Sequence, residues 1–183
     1  PLPPVVIGGA LVIPGGLLAR LRGIRTGEPA TFAYETKRVE LAAMDAVMAA
    51  EKALGNDPVD VSSQKCGYDI ESLIRDGKGK MRFIEVKGRI AGAATVTVSK
   101  NEILTALNKP DDFILALVEV PSSSAFQDAD PWEVGETMKR YGDVYNGCKV
   151  CYVRKPFTKE PDFGVTSVNY ALSELLAKGE PPR

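Results

Sequence analysis

Residues 113–120, FILALVEV, form an apolar run broken only at Glu119, entered through Asp111-Asp112 and stopped by Pro121 and three serines. A run with no polar alternation between turn signals reads as a strand buried on both faces, at the centre of a sheet. Such a strand requires cover on either side. One layer is legible between Tyr34 and Leu54, where Val39, Ala42, Ala43, Ala46, Val47, Ala50 and Leu54 recur at helical spacing before Gly55 and Asn56-Asp57-Pro58 stop the helix. Val59-Asp60-Val61 is expected to enter the core. KVCYVRKP gives a late strand, and TSVNYALSELLAKG reads as an amphipathic terminal helix with Val168, Leu172, Leu175 and Leu176 on its apolar side. The expected order is helix, three strands, helix, strand, strand, helix. That is an α/β (α+β mixed) chain with a mixed sheet flanked by helices. With 183 residues and 44% hydrophobic content, a single core is ample.

Chemistry concentrates in Gly67–Glu102. Two strands are joined by a turn at Asp76-Gly77 and Gly79, residues suited to the positive φ of short turns. Along the second, Glu85 and Lys87 project to one face, Ile84 and Val86 to the other, and Asp69 and Glu71 share a face of the first. Pairing of these strands brings carboxylates and a lysine together. Hard oxygen ligands suit Mg²⁺, which takes one or two carboxylates and keeps several waters. Asp69 and Glu85 are the candidate ligands, with the Val86 carbonyl as a further one. Two residues along a strand span roughly 6.6–7 Å, so Lys87 reaches past such an ion to a water or phosphate oxygen. The same alternation also serves an ordinary solvated hairpin face. Beyond it, Ala94–Ser99 alternates as a third strand. Ser99 and Glu102 have the S-x-x-E spacing of a capping box, which accounts for both structurally.

Composition removes several alternatives. There is no histidine, which excludes His-ligated zinc, histidine general bases and HNH-type nuclease chemistry. The three cysteines are one ligand short of a zinc site, and the CxxC of Cys148 and Cys151 lies on a strand that points its thiols apart. Neither zinc nor a disulfide is expected, and the odd count suits a reducing cytoplasm. No apolar run spans a bilayer, the glycine-broken opening VVIGGALVIPGGLL included, and no GxxxxGK[ST] loop occurs. Net charge is only −1, yet residues 75–100 gather seven Lys/Arg against two acids. Lys78, Lys80, Arg82, Arg89 and Lys100 of that group are the candidate nucleic-acid contacts, as a basic face attracts a polyanion. A solvated face fits equally. Trp132, Tyr141 and Tyr145 serve packing or base stacking.

Asp69, followed after a hairpin by Glu85-Val86-Lys87, resembles the D…(D/E)xK core of the PD-(D/E)xK nuclease superfamily. The fuller strings GYDIES, FIEVKGR and TVSKNE resemble more closely the NO VEIN C-terminal domain family, over roughly residues 35–120. Gly67-Tyr68 stands where the superfamily has proline. The resemblance implies a restriction-endonuclease-like core and a Mg²⁺ (or Mn²⁺) site, and it makes Glu40, on the first helix, an accessory catalytic candidate. An acid in a first helical turn equally complements the helix dipole. The resemblance also implies DNA as partner and an upstream helicase or ATPase module in the same chain, with a role in restriction or defence. Residues 1–33 are then an extension from that module and 34–183 the domain itself. A start on proline rather than methionine accords with a piece of a longer protein. The alternative is a non-catalytic module of the same fold that binds nucleic acid or a partner protein.

Overall fold

The computed structural model describes residues 29–121 and 144–183. Residues 5–13, whose pattern reads as a strand, GGLLARLRG after them, which reads as a short helical turn, the acidic, polar stretch around Trp132, which reads as a surface loop, and Tyr141 lie outside the described residues. The chain divides into two compact units, Pro1–Thr36 and Lys37–Arg183. The second holds eight described strands and the helices packed on them.

Helix α1 (Pro29–Ala53) starts five residues earlier than the apolar stripe indicated, with proline in the first-turn position it tolerates best. Strands β1 (Asp57–Asp60), β2 (Ile70–Leu73), β3 (Met81–Ile90), β5 (Phe113–Val120), β6 (Val144–Tyr145) and β7 (Cys148–Arg154) form one sheet in the order β1-β2-β3-β5-β7-β6. β3 and β5 are parallel and the other neighbours antiparallel, so the sheet is mixed. The β3–β5 register sets Glu85 beside Leu115 and Lys87 beside Leu117. As the apolar run requires, seven of the eight residues of β5 are buried, Glu119 excepted.

Two apolar clusters cover the two faces. Val39, Ala43, Ala46 and Val47 of α1 pack on Ile70, Ile84, Ile114, Ala116 and Val118. On the other face Phe113, Leu115 and Leu117 meet Val96, Val98, Ile103 and Leu172. β3 approaches α1 closely at Gly88, where a Cβ would stand 2.7 Å from the Ala43 Cβ and 2.9 Å from the Val39 carbonyl oxygen. This close approach gives the glycine after Lys87 a structural reason.

Several expectations are corrected. The third strand, β4 (Thr95–Ser99), leaves the main sheet and pairs antiparallel with β8 (Ser167–Ala171) in a second, two-stranded sheet. Thus Ser167–Ala171 is a strand rather than the start of a helix, and the helix is only α3 (Leu172–Leu176). The β-branched Thr95-Val96-Thr97-Val98 ladder needs a partner, and Val168 and Tyr170 supply one that also covers the second cluster. Val59, on the edge strand, is exposed, whereas Val61 is buried. The β2–β3 turn spans residues 74–80, with Ile74 N–H donating to the Lys80 carbonyl at 2.8 Å and Gly77 and Gly79 at φ 76° and 67°. Leu54 stands exposed at the helix end. Cys148 and Cys151 belong to opposite clusters, as an odd separation on a strand dictates. Burial pushes the Cys148 thiol up to about 11.

Candidate functional site

Asp69 sits one residue before β2, and its backbone continues the ladder: its N–H donates to the Ile84 carbonyl at 2.9 Å, and its carbonyl accepts from Val61 N–H at 2.8 Å. Gly67, at φ 90°, makes that entry feasible. A Cβ there would lie 2.3 Å from Thr105 Oγ1 on the following helix, α2 (Lys100–Asn108). Gly67 is therefore a residue chosen for conformation and proximity.

The site side chains line one cleft of about 490 Å³, whose walls include Glu40, Asp60, Asp69, Glu85, Lys87, Arg89 and Glu102, with the Val86 backbone. Val86 N–H donates to Asp69 Oδ2 at 2.9 Å, fixing that carboxylate against β3. Lys87 Nζ donates to Glu85 Oε1 at 2.6 Å and to Glu102 Oε2 at 2.8 Å. Glu102 also closes the capping box of α2: its Oε2 accepts from Ser99 N–H at 3.0 Å, and its own N–H donates to Ser99 Oγ at 3.3 Å. The expected cap is therefore present. Its ion pair with Lys87 was hidden from sequence reading, because the box already accounted for both residues.

The electrostatics follow from burial. Glu85 is 4% exposed, and desolvation pushes its carboxyl up to about 8. Lys87 opposes that rise, while Asp69 and Glu102 add to it. Burial likewise raises Asp69, against the Val86 amide and Lys87. For Lys87, burial alone would lower the ammonium, but Glu85 and Glu102 outweigh it and hold it above its ordinary range. Burial works against Glu102 too, yet its bonds to Lys87 and Ser99 hold it low. Three carboxylates thus share one ammonium. Along the whole cleft five acids (Glu40, Asp60, Asp69, Glu85, Glu102) face two cations (Lys87, Arg89). An electronegative, partly desolvated cleft attracts a divalent cation. Among the described residues no group of three or more Asp, Glu or Cys side chains converges as a ready-made cage. Two carboxylates suffice for Mg²⁺, which keeps its waters.

The remaining candidates are dispersed. Glu40 is exposed on α1 and lines the cleft. Arg89 lines it as well, donating to the Thr95 and Gly88 carbonyls at 3.2 and 2.7 Å. Lys78 and Lys80 are exposed on the β2–β3 turn. Arg82 has the same pleat parity as Ile84, opposite to Glu85, and is bonded to Glu51 at 3.0 Å. Lys100 opens α2, and its N–H donates to the Thr166 carbonyl at 2.8 Å. Tyr145 packs against the first cluster. Glu71 accepts from Tyr68 OH at 2.7 Å.

Fold and cleft together define a mixed α/β domain with a buried carboxylate–lysine cluster on its central strand pair. Residues 39–128 match the model of the family described as Protein NO VEIN, C-terminal. No curated protein and no solved structure matches the chain.

Proposed function

We propose that this domain is a divalent-metal-dependent phosphodiesterase acting on DNA, of the PD-(D/E)xK type. It would work in the cytoplasm beside a helicase or ATPase module of a longer protein in restriction or defence. The observation that carries the reading is the cleft's excess of acid around Glu85, a carboxyl that one lysine does not suffice to ionise. A bare polyanion binder has no use for five acids there, whereas a cation site does. The residues fit Mg²⁺ or Mn²⁺: Asp69 and Glu85 would hold it, with the Val86 carbonyl as a further ligand. A bound ion supplies Lewis acidity at a scissile phosphate and a more acidic water. Lys87 would donate to the attacking water or to a phosphate oxygen, Glu40 would serve as accessory acid, and Arg89, Lys78, Lys80 and Lys100 would steer the DNA backbone. Among the described residues no helix is long and apolar enough to cross a membrane.

The test is Mn²⁺ titration together with cleavage of single- and double-stranded DNA. Wild type should bind Mn²⁺ and cleave, and Asp69→Asn should lose both. Failure of wild type to bind either metal sinks the reading. One observation favours a second reading, a non-catalytic module that binds nucleic acid or a partner protein: Lys87 is already held by two carboxylates. In that case metal makes no difference, and Lys87→Ala costs at most one phosphate contact.

A further inference from the structure

Glu102 has no part in the phosphodiesterase chemistry as described, although it is the second carboxylate on Lys87. We infer that Glu102 is a positioning residue that retains the Lys87 ammonium in the cleft when Glu85 turns to a divalent cation. The inference deepens the phosphodiesterase reading and rests on it for the cation.

The geometry is that of a handover. Lys87 Nζ is shared between Glu85 Oε1 at 2.6 Å and Glu102 Oε2 at 2.8 Å. A carboxylate that ligates a divalent ion gives its charge to that ion. The ammonium, whose side chain is only 16% exposed, would then be a nearly buried charge without a partner. Glu102 prevents this. It arrives from a different element, α2, and its carboxylate is pinned by the Ser99 amide at 3.0 Å, so it keeps its place whatever Glu85 does. A cap alone does not explain it. Glutamine completes a capping box equally well, yet here stands a charged group whose side chain is 17% exposed. The charge answers to Lys87.

The test is Mn²⁺ titration of the full chain as wild type, Glu102→Gln, Ser99→Ala, Lys87→Met and the Glu102→Gln/Lys87→Met double variant. Glutamine keeps the cap but releases Lys87 wholly onto Glu85, where it competes with the ion. Affinity should fall about tenfold, the low end of what loss of an outer partner costs a metal site. In the Lys87→Met background the same change should cost only about twofold, because the competing ammonium is gone. Ser99→Ala breaks the cap while leaving the carboxylate on Lys87, so its affinity should stay within about twofold of wild type. An unchanged Glu102→Gln, an equal loss in both backgrounds, or an equal loss in Ser99→Ala overturns the inference while leaving the phosphodiesterase reading intact. A wild type that takes up no Mn²⁺ sinks that reading, and the handover with it.

Discussion

Two carboxylates are buried against β3, and they are provisioned in opposite ways. Glu51, from α1, is 0% exposed and accepts from four donors: Ser72 Oγ at 2.7 Å, Asn56 Nδ2 at 2.8 Å, Tyr152 OH at 2.9 Å and Arg82 Nη1 at 3.0 Å. Glu85 is 4% exposed and has one ammonium, shared with Glu102, while Asp69 repels it. At Glu51 donors outnumber the charge, and the network locks α1 to β2, β3 and β7. At Glu85 acids outnumber the donor. Burial by itself is therefore no sign of function; the balance of partners is, because a surplus of buried acid is stabilised only by a proton or a cation.

The largest effects should separate the two regions cleanly. Glu85→Ala removes a ligand outright and should abolish Mn²⁺ binding and reduce DNA cleavage by roughly 10³-fold or more. Glu51→Ala should leave Mn²⁺ affinity unchanged. It should cost about 3–5 kcal/mol in denaturant unfolding, since it takes the carboxylate from a part-buried arginine and from three further donors. A loss of Mn²⁺ binding in a folded Glu51 variant would break the comparison. Lys87→Ala should fall next, with metal affinity largely intact and cleavage lowered roughly 10²–10³-fold, the scale of one preorganised electrostatic group.

The imbalance at Glu85 also has a pH signature. Its folded carboxyl is raised to about 8 from an ordinary 4.5. Between those values the folded state holds a proton that the unfolded chain has released. The stabilisation is therefore complete below pH 4.5 and lost as pH rises through about 8. In EDTA, the thermal midpoint of wild type should fall from pH 5 to pH 8 more steeply than that of Glu85→Gln, which carries no titrating carboxyl. Equal slopes would show that Glu85 is ionised as readily in the folded state as in the unfolded one.

How much of this was legible in the sequence differs by region. The central strand, the α1 stripe and the same-side placement of Glu85 and Lys87 follow from periodicity, which is local. Asp69 follows from the hairpin, also local, and Glu102 was visible only as a cap. The pairing of β4 with β8 joins residues about seventy positions apart, and nothing local distinguishes TSVNYA as strand from TSVNYA as first turn. Because that pairing was not legible, neither was the course of α2 that brings Glu102 onto Lys87. The Glu51 network was equally hidden. Glu51 lies in an amphipathic helix as one more acid, and its donors come from β2, β3, β7 and the loop after α1. Arg82 illustrates the consequence: it was grouped with the basic face by composition, yet its guanidinium serves Glu51 and the Arg183 carbonyl at 2.9 Å.

The smallest effect offers the sharpest test of redundancy at Glu51. Tyr152→Phe removes one donor of four and leaves the ring in the core, where Tyr152 is 0% exposed. Arg82 still bonds the same Oε1, and Ser72 and Asn56 hold Oε2. The carboxylate therefore stays paired, and the loss should be about 1 kcal/mol, the net worth of one hydrogen bond. Mn²⁺ affinity should not change. At Glu85 the corresponding one-donor removal, Lys87→Ala, takes away the ammonium bonded to it among the described residues, and its effect should appear in catalysis. A Tyr152→Phe loss above about 3 kcal/mol would mean that the hydroxyl is not redundant and that Glu51 lives as close to imbalance as Glu85 does. Denaturant titration at pH 7 in EDTA, with the slope of unfolding held constant, measures this directly.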